Sequence, residues 1–120
     1  KISLEISKAD ALGQERLKIV AYDLMVFLKS RIDKRNIPDF LVHDGVFHAI
    51  SYKTISNVLN YMYHKSNELH NFQYIVTFNE DEIDLNGDES KFGKFDFDWS
   101  KQVIAEYSDT EQETIFKRFF

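Results

Sequence analysis

Two short apolar runs in this chain end in residues suited to chemistry. Phe40-Leu41-Val42-His43-Asp44-Gly45 closes on an imidazole and a carboxylate, and Phe72-Gln73-Tyr74-Ile75-Val76-Thr77-Phe78-Asn79 closes on a hydroxyl and an amide. A carboxylate at a strand tip can hold Mg²⁺, directly or through water, or polarise an attacking water beside a phosphate. An amide can donate to phosphate oxygen or position a water. In an open α/β sheet, residues just past the carboxyl ends of parallel strands line the ligand crevice. His43-Asp44 and Thr77 with Asn79 are therefore expected side by side, facing a ligand. An ordinary explanation competes at each tip. Asp-Gly favours a tight turn, His43 can serve nearby backbone, and Asn79 can begin a turn after a strand. Both tips falling in one strand-helix-strand unit weighs towards the site.

Other constellations carry less. Glu82-Ile83-Asp84-Leu85-Asn86-Gly87 has the opening of a calcium loop, but its twelfth position is Gly93, so the bidentate Glu is missing. It reads as an acidic surface turn. The histidines His43, His48, His64 and His70 show no zinc spacing; His64 and His70 are expected to be exposed, on or near a helix. The sequence has no Gly-x-Ser-x-Gly elbow and no Gly-rich phosphate loop. It has no cysteine, which excludes disulfides and thiolate metal sites. No metal-ligand set is read from it.

The elements that would position these residues follow from periodicity. Ile2 to Ser7 alternates apolar and polar, as a half-buried strand does. Residues 8–14 read as a polar connection containing Gly13. From about Gln14 to Ser30 the pattern is helical, with Leu17, Ala21, Leu24 and Leu28 on one face and Ile19, Val20, Met25, Val26 and Phe27 filling most of the rest. A helix apolar nearly all round is expected to be buried in a larger assembly. Arg31 to Pro38 is a loop. Phe40 to His43 is a continuous apolar strand of the kind covered on both faces. After a turn at Gly45, Ser51 caps a helix running to about Leu69, with Ile55, Val58, Leu59 and Met62 as its stripe. Phe72 to Phe78 is the second buried strand, completing a right-handed βαβ unit. Asn79 to Ser90 is an acidic loop. Phe95, Phe97 and Trp99 alternate like a strand, Val103 to Tyr107 is another strand candidate, and Thr110 to Phe120 fits a short helix or a strand.

Composition bounds the partners. The chain has 120 residues, 43% of them apolar, consistent with one domain and a real core. Its net charge is −5, a poor balance for autonomous nucleic-acid binding, which needs clustered Lys and Arg. The one basic stretch, Lys29 to Arg35, reads as a solvated helix end favoured by the macrodipole. No apolar run approaches the ~20 residues of a membrane span, and no signal peptide is visible. A cytoplasmic protein is expected. A start at Lys1, inside an expected strand, is what trimming from a longer protein would give.

The order of segments carries a resemblance. Gly13-Gln14-Glu15-Arg16 opens a long helix that includes Ala21-Tyr22-Asp23-Leu24, followed by Phe40 to Phe47 and then Phe72 to Asn79. This resembles the uncharacterised C-terminal domain of bacterial SMC/RecN-like coiled-coil ATPases of the ABC type, a family also seen beside mobile-element and phage-defence genes. The resemblance covers about Lys8 to Phe120. It implies an α/β fold: the C-terminal lobe of an ABC/SMC-type ATPase head, with a βαβ core of mainly parallel strands and an irregular Phe-rich tail. It puts Ala11 to Gln14 at the signature position, with Gly13, Gln14 and Thr77 towards the nucleotide. His43-Asp44 takes the place of the Asp-Glu pair, with Asp44 as the water-orienting acid. Residues 46–51 lie where the D-loop would be, and Asn79 replaces the switch histidine.

The chain departs from that pattern in several places. The signature Ser and its first Gly read Ala11 and Leu12. Either His43 stands where a magnesium-organising Asp belongs, or Asp44 is that Asp and Gly45 replaces the catalytic Glu. The D-loop Asp is absent. ATP and Mg²⁺ are implied for the full-length parent, not for this fragment, which alone is expected not to hydrolyse ATP. The implied partners are the N-terminal ATPase lobe of the same protein, reached across a long coiled coil, a second head in a homodimer, and a DNA or defence-system partner of the parent; no membrane is implied. The alternative is a non-catalytic protein-interaction or dimerisation module, to which the Phe116, Phe119 and Phe120 tail would contribute. A stand-alone α/β enzyme of another class is the third reading.

Overall fold

The computed structural model describes residues 8–79 and 94–108, and only the backbone at residues 8–10. The strand expected at residues 2–7, the acidic loop beyond residue 79 with its calcium-like segment, and the element expected at residues 110–120 lie outside the described residues. Four elements form the body: helix α1 (Lys8–Ile32), strand β1 (Phe40–Asp44), helix α2 (Tyr52–Leu69) and strand β2 (Gln73–Thr77). A 3₁₀ turn, Trp99–Lys101, follows. The strands pair in parallel, with Phe40 opposite Gln73 and Asp44 opposite Thr77. Helices around a parallel two-stranded sheet make this an α/β arrangement, and the β1-α2-β2 order is the expected βαβ unit. No helix among the described residues is long and apolar enough to cross a membrane.

Local chemistry explains the element ends. Ser51 caps α2, its hydroxyl accepting from the Thr54 N–H at 3.3 Å. His70, at φ 54°, closes α2 in the left-handed region, its N–H donating to Ser66 O. α1 closes similarly, with Lys34 at φ 52°. The Lys34 N–H then reaches Arg31 O and the Arg35 N–H reaches Ser30 O. This is the paired hydrogen-bond pattern that satisfies the last helical carbonyls. Lys29 and Arg31 lie in the last turn, where cations suit the helix dipole.

α1 starts earlier than its sequence suggests, at Lys8 rather than near Gln14. Gly13 reads as a break, yet it lies inside the helix and serves a close approach. A Cβ at Gly13 would sit 2.3 Å from the carbonyl oxygen of Ala49. The backbone of α1 therefore meets the turn between β1 and α2 directly.

The buried core is Val20, Leu24, Phe27 and Leu28 of α1, Phe47 of the turn, and Ile55, Leu59 and Met62 of α2. The α2 stripe is the expected one. α1 is not enclosed all round, because Ile19, Tyr22, Met25 and Val26 are exposed. Nor is β1 covered on both faces. Leu41 and His43 face inward, while Phe40 and Val42 remain 50% and 48% exposed. The tail differs too. Residues 94–98 form an extended segment with bends rather than a strand, and residues 103–107 have no regular structure.

Gly13→Ala tests the close approach. The helix propensity gain is about 1 kcal/mol. Overpacking against a backbone carbonyl typically costs about 1–3 kcal/mol. The clash wins, and the thermal midpoint is expected to fall by roughly 5 °C; a higher midpoint in differential scanning calorimetry would contradict the packing.

Candidate functional site

The parallel register places Asp44 directly opposite Thr77 at the carboxyl ends of the two strands. The Thr77 hydroxyl donates to Asp44 Oδ1 and accepts from the Gly45 N–H at 3.1 Å. One hydroxyl thus ties the acid of β1, the turn after it and the end of β2 together. Gly45, at φ 61°, makes the reversal in a conformation that strains any residue with a Cβ. Arg16 of α1 reaches the same turn, its Nη1 donating to Gly45 O at 3.4 Å. The tip is exposed, so Asp44 and Thr77 can meet a ligand. Asn79 lies two residues beyond β2 and is exposed.

His43 is adjacent to Asp44 in sequence but turns the other way, because successive strand residues point to opposite faces. It is 4% exposed. Its Nε2 lies 3.2 Å from Asp23 Oδ2 of α1, and its Nδ1 lies 2.8 Å from the Tyr74 hydroxyl of β2. A carboxylate only accepts, so in the neutral ring the proton is on Nε2 and Nδ1 accepts from the Tyr74 O–H. Both ring nitrogens are then satisfied, and α1, β1 and β2 are joined through one imidazole. The tyrosine ring also stands edge-on to the imidazole, with centroids 5.5 Å apart at 89°. Burial, and then the nearby Asp23 charge, push the Tyr74 hydroxyl well above its ordinary value of 10.0.

Gly13 and Gln14 occupy another place. With Leu17, Lys18, Ala49, Ser51 and others they line an open groove of about 500 Å³ between α1 and the start of α2; the groove lining does not include Asp44 or Thr77. The structure thus joins Asp44 to Thr77, sets Gly13 beside Gln14 in the groove, and directs His43 inward. His64, expected to be exposed, is so, and bonds Asp96 at 2.7 Å; His70 is exposed at the end of α2. Among the described residues no three His, Cys, Asp or Glu side chains converge as a metal site.

Sequence reasoning passed over Arg16, Asp23 and Tyr74. Asp23 carried a signal: it lies three residues after Val20 and four before Phe27, at the edge of the buried stripe of α1, where a carboxylate still 41% exposed can reach an inward-facing partner.

Fold and tip together define a class: a parallel βαβ unit with an acid and a hydroxyl bonded across the strand ends. The chain belongs to the DUF2326 family, described as an uncharacterised protein conserved in bacteria, which it matches over residues 1–120. No curated protein and no solved structure matches it.

The Tyr74 environment predicts alkaline behaviour. An unfolded tyrosine ionises near pH 10, whereas folded Tyr74 holds its proton above that. Its contribution to stability is complete below about pH 10 and is lost as pH rises beyond it. In a tyrosinate absorbance titration of the six tyrosines, Tyr74 should ionise only as the chain unfolds, and Tyr74→Phe should weaken the loss of stability above pH 10.

Proposed function

We propose that this chain is the C-terminal lobe of a two-lobe, SMC/RecN-like ATP-binding head, and that it supplies the strand-tip side of an ATP site completed by an N-terminal lobe. The observation that carries this reading is Asp44 bonded to Thr77 across the carboxyl ends of two parallel strands. The exposed faces of Phe40, Val42, Ile19, Tyr22, Met25 and Val26 are consistent with further structure packing there. Parallel sheets are ordinarily covered on both faces, and a two-stranded sheet alone is weak.

The tip suits Mg²⁺ in part. A carboxylate and a hydroxyl are hard oxygen donors, and Mg²⁺ in nucleotide sites commonly takes one or two protein groups together with phosphate oxygens and water. Asp44 and Thr77 would hold the ion, which would offset charge on the phosphates. Of the two placements the resemblance leaves open, we take Asp44 on the metal side, with Gly45 where the general base would stand. The engagement of both His43 nitrogens by Asp23 and Tyr74 supports that choice. Asn79, past β2, stands at the switch position. Arg16 holds the turn through Gly45 O and so keeps the acid in place. The phosphate cradle comes from the other lobe, since this sequence has no Gly-rich phosphate loop.

The second reading is a dimerisation module without catalysis, and the exposed apolar side of α1 favours it. The two readings separate in the assembled parent. Asp44→Asn should lower Mg²⁺-dependent ATP turnover by at least about 100-fold and weaken the part of ATP binding that depends on Mg²⁺. Unchanged turnover, with self-association that ignores nucleotide, would establish the second reading instead.

A further inference from the structure

The C-terminal segment is held on α2 by a specific device. The Asn60 side chain donates from Nδ2 to the Lys94 carbonyl at 2.8 Å and accepts at Oδ1 from the Asp96 N–H at 2.8 Å. These are the two hydrogen bonds a neighbouring strand would supply, delivered by one amide. A carboxylate cannot replace it, because it has no donor for the carbonyl. One turn further along α2, His64 bonds the Asp96 side chain. Asp98 then caps the 3₁₀ turn, accepting from the Ser100 N–H and hydroxyl.

Pinned this way, the segment turns its alternate aromatic residues onto the core. Phe97 packs on Tyr63 of α2 with ring centroids 5.1 Å apart. Phe95 packs on Trp99 at 5.1 Å. Trp99 meets Phe78 at 6.0 Å, and Phe78 stacks on Phe47 at 5.3 Å and 24°. Phe78 is flanked by Thr77 and Asn79, and Phe47 lies two residues after Gly45. One continuous line of rings therefore runs from the pinned segment to both polypeptide strands of the candidate site.

We infer that residues 94–101 are a strap that sets the geometry of the strand tips, with Asn60 as its latch and Trp99 as the positioning residue that carries its seating through Phe78 and Phe47 to Asp44, Thr77 and Asn79. The working part of Trp99 is its ring. Its indole N–H is buried without a hydrogen-bond partner among the described residues, a cost that only the ring contacts offset. Phenylalanine should therefore serve at this position and alanine should not. The consequence for ATP rests on the reading of the tip proposed above; the mechanical coupling does not.

Trp99 is the only tryptophan in the chain, so its fluorescence reports the strap alone. In Asn60→Ala and Asn60→Asp the emission should move to the red and acrylamide quenching should rise roughly twofold or more, as local opening exposes the ring. At the same time the backbone amide resonances of Gly45 and Thr77 should shift, in chains whose far-ultraviolet circular dichroism matches the parent. His64→Ala, which removes one exposed contact, should give smaller changes of the same kind if either Asn60 variant fails to fold. Trp99→Ala should displace the Gly45 and Thr77 amides, and Trp99→Phe should restore them. An exposed Trp99 with unmoved Gly45 and Thr77 amides would overturn the coupling, and unchanged emission in both Asn60 variants would overturn the latch. Neither readout involves nucleotide, so an inert Asp44→Asn in the assembled head would leave this test intact.

Discussion

The register between β1 and β2 is the constraint on which the site depends. Side chains alternate across a strand, so a slip of one residue would exchange the inner and outer faces of β1. The observed register keeps Leu41 and His43 inside and Asp44 outside, opposite Thr77. The buried His43 opposes any such slip. Displaced to the outer face, it would lose Asp23 and Tyr74 together; water can replace it at the 41% exposed Asp23 carboxylate, but the half-buried Tyr74 hydroxyl would be left without its partner, at a cost of about 1–3 kcal/mol for a group left buried and unsatisfied. The imidazole thus supports the acid beside it without sharing its surroundings: one residue fixes the strand, and the next presents its carboxylate.

Around this pairing the apolar surface is divided unevenly. Eight apolar residues are buried, and twelve large ones are exposed, among the described residues. Fully burying a large apolar side chain gains about 1.5–3 kcal/mol, so the exposed set represents much unrealised stabilisation. Scattered apolar surface residues are ordinary, and Tyr52, Tyr61, Ile104 and Tyr107 are of that kind, but the other eight fall on two surfaces: the outer side of the sheet at Phe40 and Val42, and α1, where they include Ile19, Tyr22, Met25 and Val26. Under the proposed reading, those are surfaces that further structure would cover. The same reasoning explains why α1 looks enclosed by sequence and half bare in structure. Its apolar pattern is wider than the face that the other described residues cover.

Much of the βαβ unit was legible because its signals are local. Ser51, the stripe from Ile55 to Met62 and the two apolar runs each report a preference that packing then fulfils. The misreadings share a physical cause: one sequence pattern served two structural uses. Gly13 looked like a helix break because glycine is costly in helices, yet it is retained where the carbonyl of Ala49 leaves no room for a Cβ. The alternation of Phe95, Phe97 and Trp99 marks an extended segment with one face inward, and that much is correct. Its hydrogen-bond partner is the Asn60 side chain rather than a strand, which periodicity cannot show. The end of a parallel strand points to His43 and Asp44 as one site, although the alternation along the strand separates them onto two faces. Asp44 and Thr77 lie side by side, as expected, because parallel strand tips converge as a matter of topology.

The tip also shows why chemistry and assembly are linked. Asp44 is an exposed carboxylate held by a hydroxyl, with Arg16 bonded to the neighbouring carbonyl. In water two unit charges 4 Å apart interact by about 1 kcal/mol, whereas at a protein surface with lower effective dielectric the value is about 4 kcal/mol. A strand tip open to solvent therefore has little leverage over a phosphate or a metal ion, however well its groups are aligned. Covering the tip with a second lobe would exclude water and strengthen every charge already positioned there, with no movement of Asp44 or Thr77 required. Under the proposed reading, the hydroxyl bridge, the His43 network behind it and the ring stack from Trp99 would hold these groups in place for such a closure. The geometry is set by this chain, and the strength of its electrostatics depends on what covers it.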